Sequence, residues 1–289
     1  MIRKLILILM ASFVAAPVLA VDILSLWDFS NPALSEQRFR SALGTANGDE
    51  VLILQTQIAR TYVFRKDFQK SRQILRSIEP QIRSAGAEAQ VRYWLELGRT
   101  YASHQHPPES QTPESKSNAR MAVEKALTIS REARLDGLAI DAIHMLAFVD
   151  TDPADQVKWG QQALSLVEAS NQPEAKQWEA SVRSNLGEAL YDLGRYEEAL
   201  GHFRRAVILR EQGANPRATR DANWHVARAL RMQKHFDQAF AIQLRLERES
   251  EAMSDPRHYI FEELALLYQA NGCQERARHY LARAKELAD

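Results

Sequence analysis

A chain of 289 residues with one cysteine, Cys273, can close no internal disulfide, so its fold rests on packing alone. A lone exposed thiol can couple two chains; a turn position without a role is the other reading. Net charge is missing too, because 37 Lys and Arg balance 37 Asp and Glu. That balance argues against a nucleic-acid binder, which shows a basic excess. There is no Gly-rich phosphate loop of the Walker type, no G-x-S-x-G elbow and no H-E-x-x-H zinc helix. No residue offers itself as nucleophile or general base. The expectation is a protein that is not an enzyme and uses no cofactor or bound metal. A membrane span is lacking as well, since the apolar run from Leu5 to Ala20 covers only 16 residues, against about 20 for a spanning helix.

That run has the layout of a secretory leader. Arg3 and Lys4 precede an apolar stretch from Leu5 to Val14, and Val18 and Ala20 close it with small residues. Cleavage after Ala20 is expected, giving an exported chain, periplasmic or secreted, with no stable membrane insertion. An uncleaved anchor is the alternative. No cysteine follows the run, which argues against a lipoprotein.

What the sequence does have is a repeat. Asn185-Leu186-Gly187, Tyr191, Gly194, Tyr196, Ala199, Phe203 and Ala206 recur in weaker form about forty positions on, and earlier in the chain. Six small residues, Ala59, Gly98, Ala147, Gly187, Ala227 and Ala265, anchor six copies, spaced by 39, 49, 40, 40 and 38 residues. A large apolar residue lies three or four positions beyond most anchors (Tyr62, Tyr101, Tyr191, Leu230, Tyr268). An aromatic opens the second helix in three copies: Phe68, Tyr196 and Phe236. Small and large residues so alternate along one helical face, letting knobs of one helix enter gaps on the next. A period of this length means stacked helical hairpins that bury their apolar faces only against neighbours. Residues Asn31 to Leu43 predict one more helix, capped by Asn31 with Pro32 in its first turn. It reads as the second helix of a hairpin whose first is missing, shielding the open end of the stack.

This arrangement resembles the tetratricopeptide repeat family. Trp94, Leu97, Gly98 and Tyr101 match the first half of its pattern; Leu186, Gly187, Tyr191, Ala199, Phe203 and Ala206 match both halves; Tyr268, Ala277 and Ala284 match in the last copy. The period of nearly 40 is similar to the long-helix variants of kinesin light chains. The resemblance implies an all-α, right-handed α-solenoid of about six hairpins over residues 51–289. A signal peptide over 1–20 and an N-terminal segment with a capping helix over 21–50 precede it. The hairpin around Ala147 departs most, with Asp152-Pro153 in a short turn and Gly160 where a large residue is usual.

The wide second spacing comes from a polar, Pro- and Ser-rich insert, expected to be a mobile loop over 103–118. Its His104 and His106, with Glu109 nearby, are the one metal-ligand pattern, but a loop without preorganised geometry is a poor site.

Arg60, Arg99 and Arg228 each follow their anchor, where the resemblance implies a concave groove that holds peptide ligands. Three guanidiniums on one wall can grip carboxylates through forked hydrogen bonds. Phe148, Glu188 and Leu266 interrupt the row, and local pairing, as of Arg99 with Glu96, is the competing reading. Trp224 and His225 share a helix with Arg228, and Tyr259 and Glu262 take comparable places in the next hairpin. Together these form a candidate partner-binding patch, with Trp224 as plain core the alternative. The sequence thus points to a non-catalytic adaptor or scaffold that binds a peptide or helix of another protein in its groove. Two alternatives stand beside it: a regulatory or sensing subunit of an envelope assembly, and an enzyme acting on cell-wall polymers, which needs a pocket with paired carboxylates.

Overall fold

The computed structural model describes residues 21–213 and 215–288; the leader and its cleavage site lie outside them. Two N-terminal helices, α1 (Ile23–Leu26) and α2 (Pro32–Ala42), precede six hairpins. The hairpins are α3 (Asp49–Phe64) with α4 (Phe68–Ile82), α5 (Ala87–Arg99) with α6 (Pro113–Glu132), and α7 (Asp136–Val149) with α8 (Pro153–Ala169). After the single turn α9 (Pro173–Lys176) come α10 (Glu179–Asp192) with α11 (Tyr196–Gln212), α12 (Pro216–Met232) with α13 (Phe236–Ala252), and α14 (His258–Ala270) with α15 (Gln274–Glu286). No strand occurs among the described residues. Each helix packs on its sequence neighbours, and α5 also touches α3 and α7, so the architecture is an α-solenoid.

Local chemistry sets the hairpin turns. Four first helices end on a residue with positive φ at the same place: Lys66 (60°), Gly194 (75°), Lys234 (64°) and Gly272 (78°). The next N–H then bonds back five positions, as from Arg195 to the Leu190 carbonyl and from Asp67 to the Tyr62 carbonyl, both at 2.9 Å. That is the Schellman closure, which satisfies a carbonyl the helix end would orphan. At α7–α8 Asp150 caps instead with φ −90°, and Asp152 holds the Ala154 N–H at 2.8 Å ahead of α8.

The N-terminal cap is fuller than expected. Asn31 does accept the Leu34 N–H, at 3.1 Å, with Pro32 opening α2. The place of the missing first helix is filled by α1, whose Ile23 and neighbouring Trp27 pack against Phe39, Leu54 and Ile58. The insert is also shorter and better tied than its composition suggests. Helix α6 already runs from Pro113, with Thr112 accepting the Ser115 N–H at 3.1 Å. Ahead of it His106 is buried, its ring stacked 3.7 Å from that of Phe68. His106 Nε2 lies 3.2 Å from the Thr100 carbonyl and Nδ1 3.0 Å from Ser103 Oγ. A histidine docked through hydrogen bonds orders a segment without an apolar run.

Small residues meet large ones where helices cross. A Cβ on Gly187 would overlap the Phe203 ring, whereas one on Gly201, in the next helix, would meet open space. Two glycine-to-alanine changes in adjacent helices therefore have opposite signs. Gly187→Ala costs about 1–3 kcal/mol by overpacking, and Gly201→Ala adds about 0.5–1 kcal/mol through helix propensity. Urea unfolding of both variants against the parent checks the pair.

Candidate functional site

The first helices α3, α5, α7, α10, α12 and α14 carry a row of polar side chains that meet across consecutive repeats. Arg60 on α3 reaches Glu96 on α5 at 3.7 Å. Arg99 on α5 pairs with Asp141 on α7. Asn185 Nδ2 on α10 lies 2.9 Å from His144 Nδ1 on α7. Arg228 Nη1 on α12 donates to both Glu188 oxygens on α10 at 3.0 Å, and Arg231 on α12 donates to Glu263 on α14 at 2.5 Å. In four of these rungs the residue after one anchor is joined to the next first helix. All five junctions between neighbouring first helices are therefore bridged.

The ladder corrects the register of the third hairpin. Asp141 and His144 take the places that Glu96 and Arg99 hold on α5, so the anchor is Ile143, four residues before Ala147. The adjoining spacings become 45 and 44 residues, and His144, not Phe148, continues the row. The anchor residue of this repeat is therefore large, and the small Gly160 on α8 faces Leu186 of α10. A search for small residues alone passes over Ile143 for that reason.

Arg99 is engaged within the chain, while Arg60 keeps its Nε without a hydrogen-bond partner among the described residues. Arg99 is buried and donates to Glu96 at 2.9 Å and to Asp141. Arg60 lies beside Glu96 and against the rings of Trp27 and Phe64, at 5.6 and 6.0 Å. Burial pushes the Glu96 carboxyl up despite both guanidiniums. For Asp141, burial is outweighed by Arg99 and Arg60, which hold it below the usual range. The pairing of Arg99 with Glu96 anticipated from their spacing is thus present, with a second acid added from the next repeat.

Trp224, His225, Arg228 and Tyr259 do come together. Arg228 lies over the rings of Tyr191 and Trp224, at 4.4 and 4.5 Å. Trp224 Nε1 donates to the Tyr259 carbonyl at 3.1 Å, and the Tyr259 hydroxyl donates to Asp221. His225 Nδ1 sits 2.7 Å from Glu188. Burial works against the Glu188 charge, but His225 and Arg228 hold its carboxyl low. Trp224, Arg228, Tyr191 and Tyr259 are half-buried. Glu262 is not part of the patch: it is exposed, and its neighbour Glu263 turns inward to Arg231. The residues missed from sequence, Glu188, Tyr191 and Asp221, are those that hold the patch together.

Between α7, α8 and α10 lies a cavity of about 160 Å³ lined by Ile143, His144, Phe148, Trp159, Gly160 and Asn185 among others. Its lining holds one carboxylate, Glu188, already bound to Arg228. The insert adjoins it, with the His104 ring 5.6 Å from that of Phe148. Among the described residues no three His, Cys, Asp or Glu side chains converge as a metal site, and no helix is long and apolar enough to cross a membrane.

Residues 178–247 match the tetratricopeptide repeat family. The match covers α10–α12 and most of α13, and the solenoid extends the same hairpin geometry to both sides. A signal-transduction ATPase with numerous domains from Pyrococcus horikoshii, carrying a tetratricopeptide repeat sensor, superposes with TM-score 0.64 at 16% identity over 88% of this chain. The chain spans only 38% of that protein. Aspartyl phosphate phosphatase F from Bacillus subtilis superposes with TM-score 0.57 at 13% identity, over 93% of this chain and 79% of the phosphatase. At such identities the likeness is one of fold. No curated protein matches the chain in sequence.

Two measurements test the ladder of these hairpins. Arg99→Ala strands Glu96 and Asp141 and costs about 3–5 kcal/mol, while Arg195→Ala, which removes an exposed pair with Glu198, costs at most about 1 kcal/mol; denaturant melts compare them. The second concerns His144, whose imidazole burial pushes down to about 4. An unfolded histidine takes its proton near pH ~6.5, so the folded chain loses stability as pH falls from there through the folded value. The loss, on the order of 2 kcal/mol after allowing for partial exposure, is absent in His144→Gln, and urea midpoints across that range measure the difference.

Proposed function

We propose that this chain is a non-catalytic, exported adaptor that binds an extended or helical segment of another protein along its first helices. One observation carries the reading: the half-buried cluster of Tyr191, Trp224, Arg228 and Tyr259, already packed and hydrogen-bonded. Aromatic and Arg side chains held rigid lose little freedom on contact, which is why such residues dominate binding energy. The ladder neutralises its own charges, so affinity comes from these rings and from shape, with the guanidiniums serving as inter-repeat ties. The leader-like first twenty residues support the exported, periplasmic or secreted location, and with it the division into signal peptide, capping segment and repeat domain.

A second reading has a specific observation behind it. The Pyrococcus protein is described as having a tetratricopeptide repeat sensor, which favours a regulatory or sensing subunit that passes on the binding event. Recovery of the chain from native membranes within a larger complex separates that role from a free adaptor.

Residues 21–289 used as bait against a cell-envelope extract, read by mass spectrometry, test the adaptor. Trp224→Ala is expected to weaken capture of a specific partner by about tenfold or more, while Arg60→Ala leaves it nearly unchanged. Equal capture by the parent and Trp224→Ala removes the patch from the site. Recovery of full-length expressed chain with Val21 at its N-terminus confirms the export step.

A further inference from the structure

The two places where this chain departs from the tetratricopeptide pattern converge on one feature. The third hairpin has Ile143 at its anchor and Gly160 on α8, and the insert of the second hairpin lays His104 beside Phe148. Between them opens the cavity of about 160 Å³. Gly160 lets α8 approach α10 closely, since a Cβ there would stand 3.1 Å from Leu186. A void of this size, lined by Ile143, Phe148, Trp159 and Val182, matches the roughly 150 Å³ apolar cavities that accept a benzene ring.

One edge of the cavity is polar. Asn185 presents its amide to His144 Nδ1 at 2.9 Å, and burial keeps that imidazole neutral. Whichever ring nitrogen holds the proton, the pair leaves one donor and one acceptor unused: Nε2–H with Asn185 Oδ1, or Nε2 with the Asn185 amide turned over. Asn185 is exposed at this edge, so both groups are open to a ligand. An apolar slot edged by one donor and one acceptor suits a phenol, which can give and take a hydrogen bond at its hydroxyl.

We propose that this cavity anchors the bound partner by taking in one of its aromatic side chains, tyrosine best. The inference rests on the binding reading above and adds its specificity. The occupant is a side chain of the partner segment, because Asn185 and His144, which line the slot, belong to the ladder on the first helices which that segment would follow.

The test uses residues 21–289 with p-cresol and toluene as probes in ligand-observed NMR, alongside selection from a random peptide library displayed on phage. Saturable p-cresol binding is expected, abolished by Ala147→Leu, which fills the slot from α7. Asn185→Leu is expected to weaken p-cresol but not toluene. Selected peptides should share a tyrosine or phenylalanine and lose about tenfold or more in affinity on Ala147→Leu, with a melting temperature at or above the parent's showing that the variant folds. Absence of p-cresol binding, or binding indifferent to Ala147→Leu, overturns the inference. Peptides that need Trp224 but ignore Ala147→Leu overturn the anchor and leave the adaptor standing. Binding of p-cresol with no peptide selected overturns both, and marks the slot as a site for a free small aromatic.

Discussion

No hairpin of this chain can bury its own apolar face, and everything else follows from that. Gly187 receives the Phe203 ring within one hairpin, but the outer sides of both helices are covered only by the hairpins before and after. Stability is then a sum of units and junctions. The ends need shielding, which Trp27 and Phe39 supply at one side.

The junctions carry a second, more demanding interaction. Wherever two first helices lie side by side, polar groups are brought into a partly dry layer, and an unpaired charge there is costly. The ladder from Arg60 to Glu263 answers this with matched partners from neighbouring repeats. The ladder's guanidiniums are turned toward acids of neighbouring repeats, while the rings of Tyr191, Trp224 and Tyr259 stay half-buried beside Arg228.

Much of this was legible beforehand. Hairpin turns announce themselves at Gly194 and Gly272, and the Asn31–Pro32 cap marks the start of α2. Anchors at Ala59, Gly98, Gly187, Ala227 and Ala265 fall on first helices as the period requires. The third repeat escapes the period of small residues because the large Ile143 stands at its anchor, with the small Ala147 one turn further on. The contact of His106 with Phe68, thirty-eight positions apart, is one that composition cannot register. In the candidate patch, Trp224, His225, Arg228 and Tyr259 lie together, while Glu262 stays exposed and its neighbour Glu263, about 100° round the helix, pairs with Arg231.

Sequence alone determined the helices, their caps, their pairing into hairpins and the small residues that let them cross, because those depend on contacts within about one period of the chain. Tertiary structure decided which charge meets which. Arg99 finds Asp141 forty-two positions on and Arg228 finds Glu188 forty back, and the cavity exists only through the spacing of three helices. Such pairings depend on the rotation between successive hairpins, which is set by the summed packing of all their side chains and is written in no local pattern.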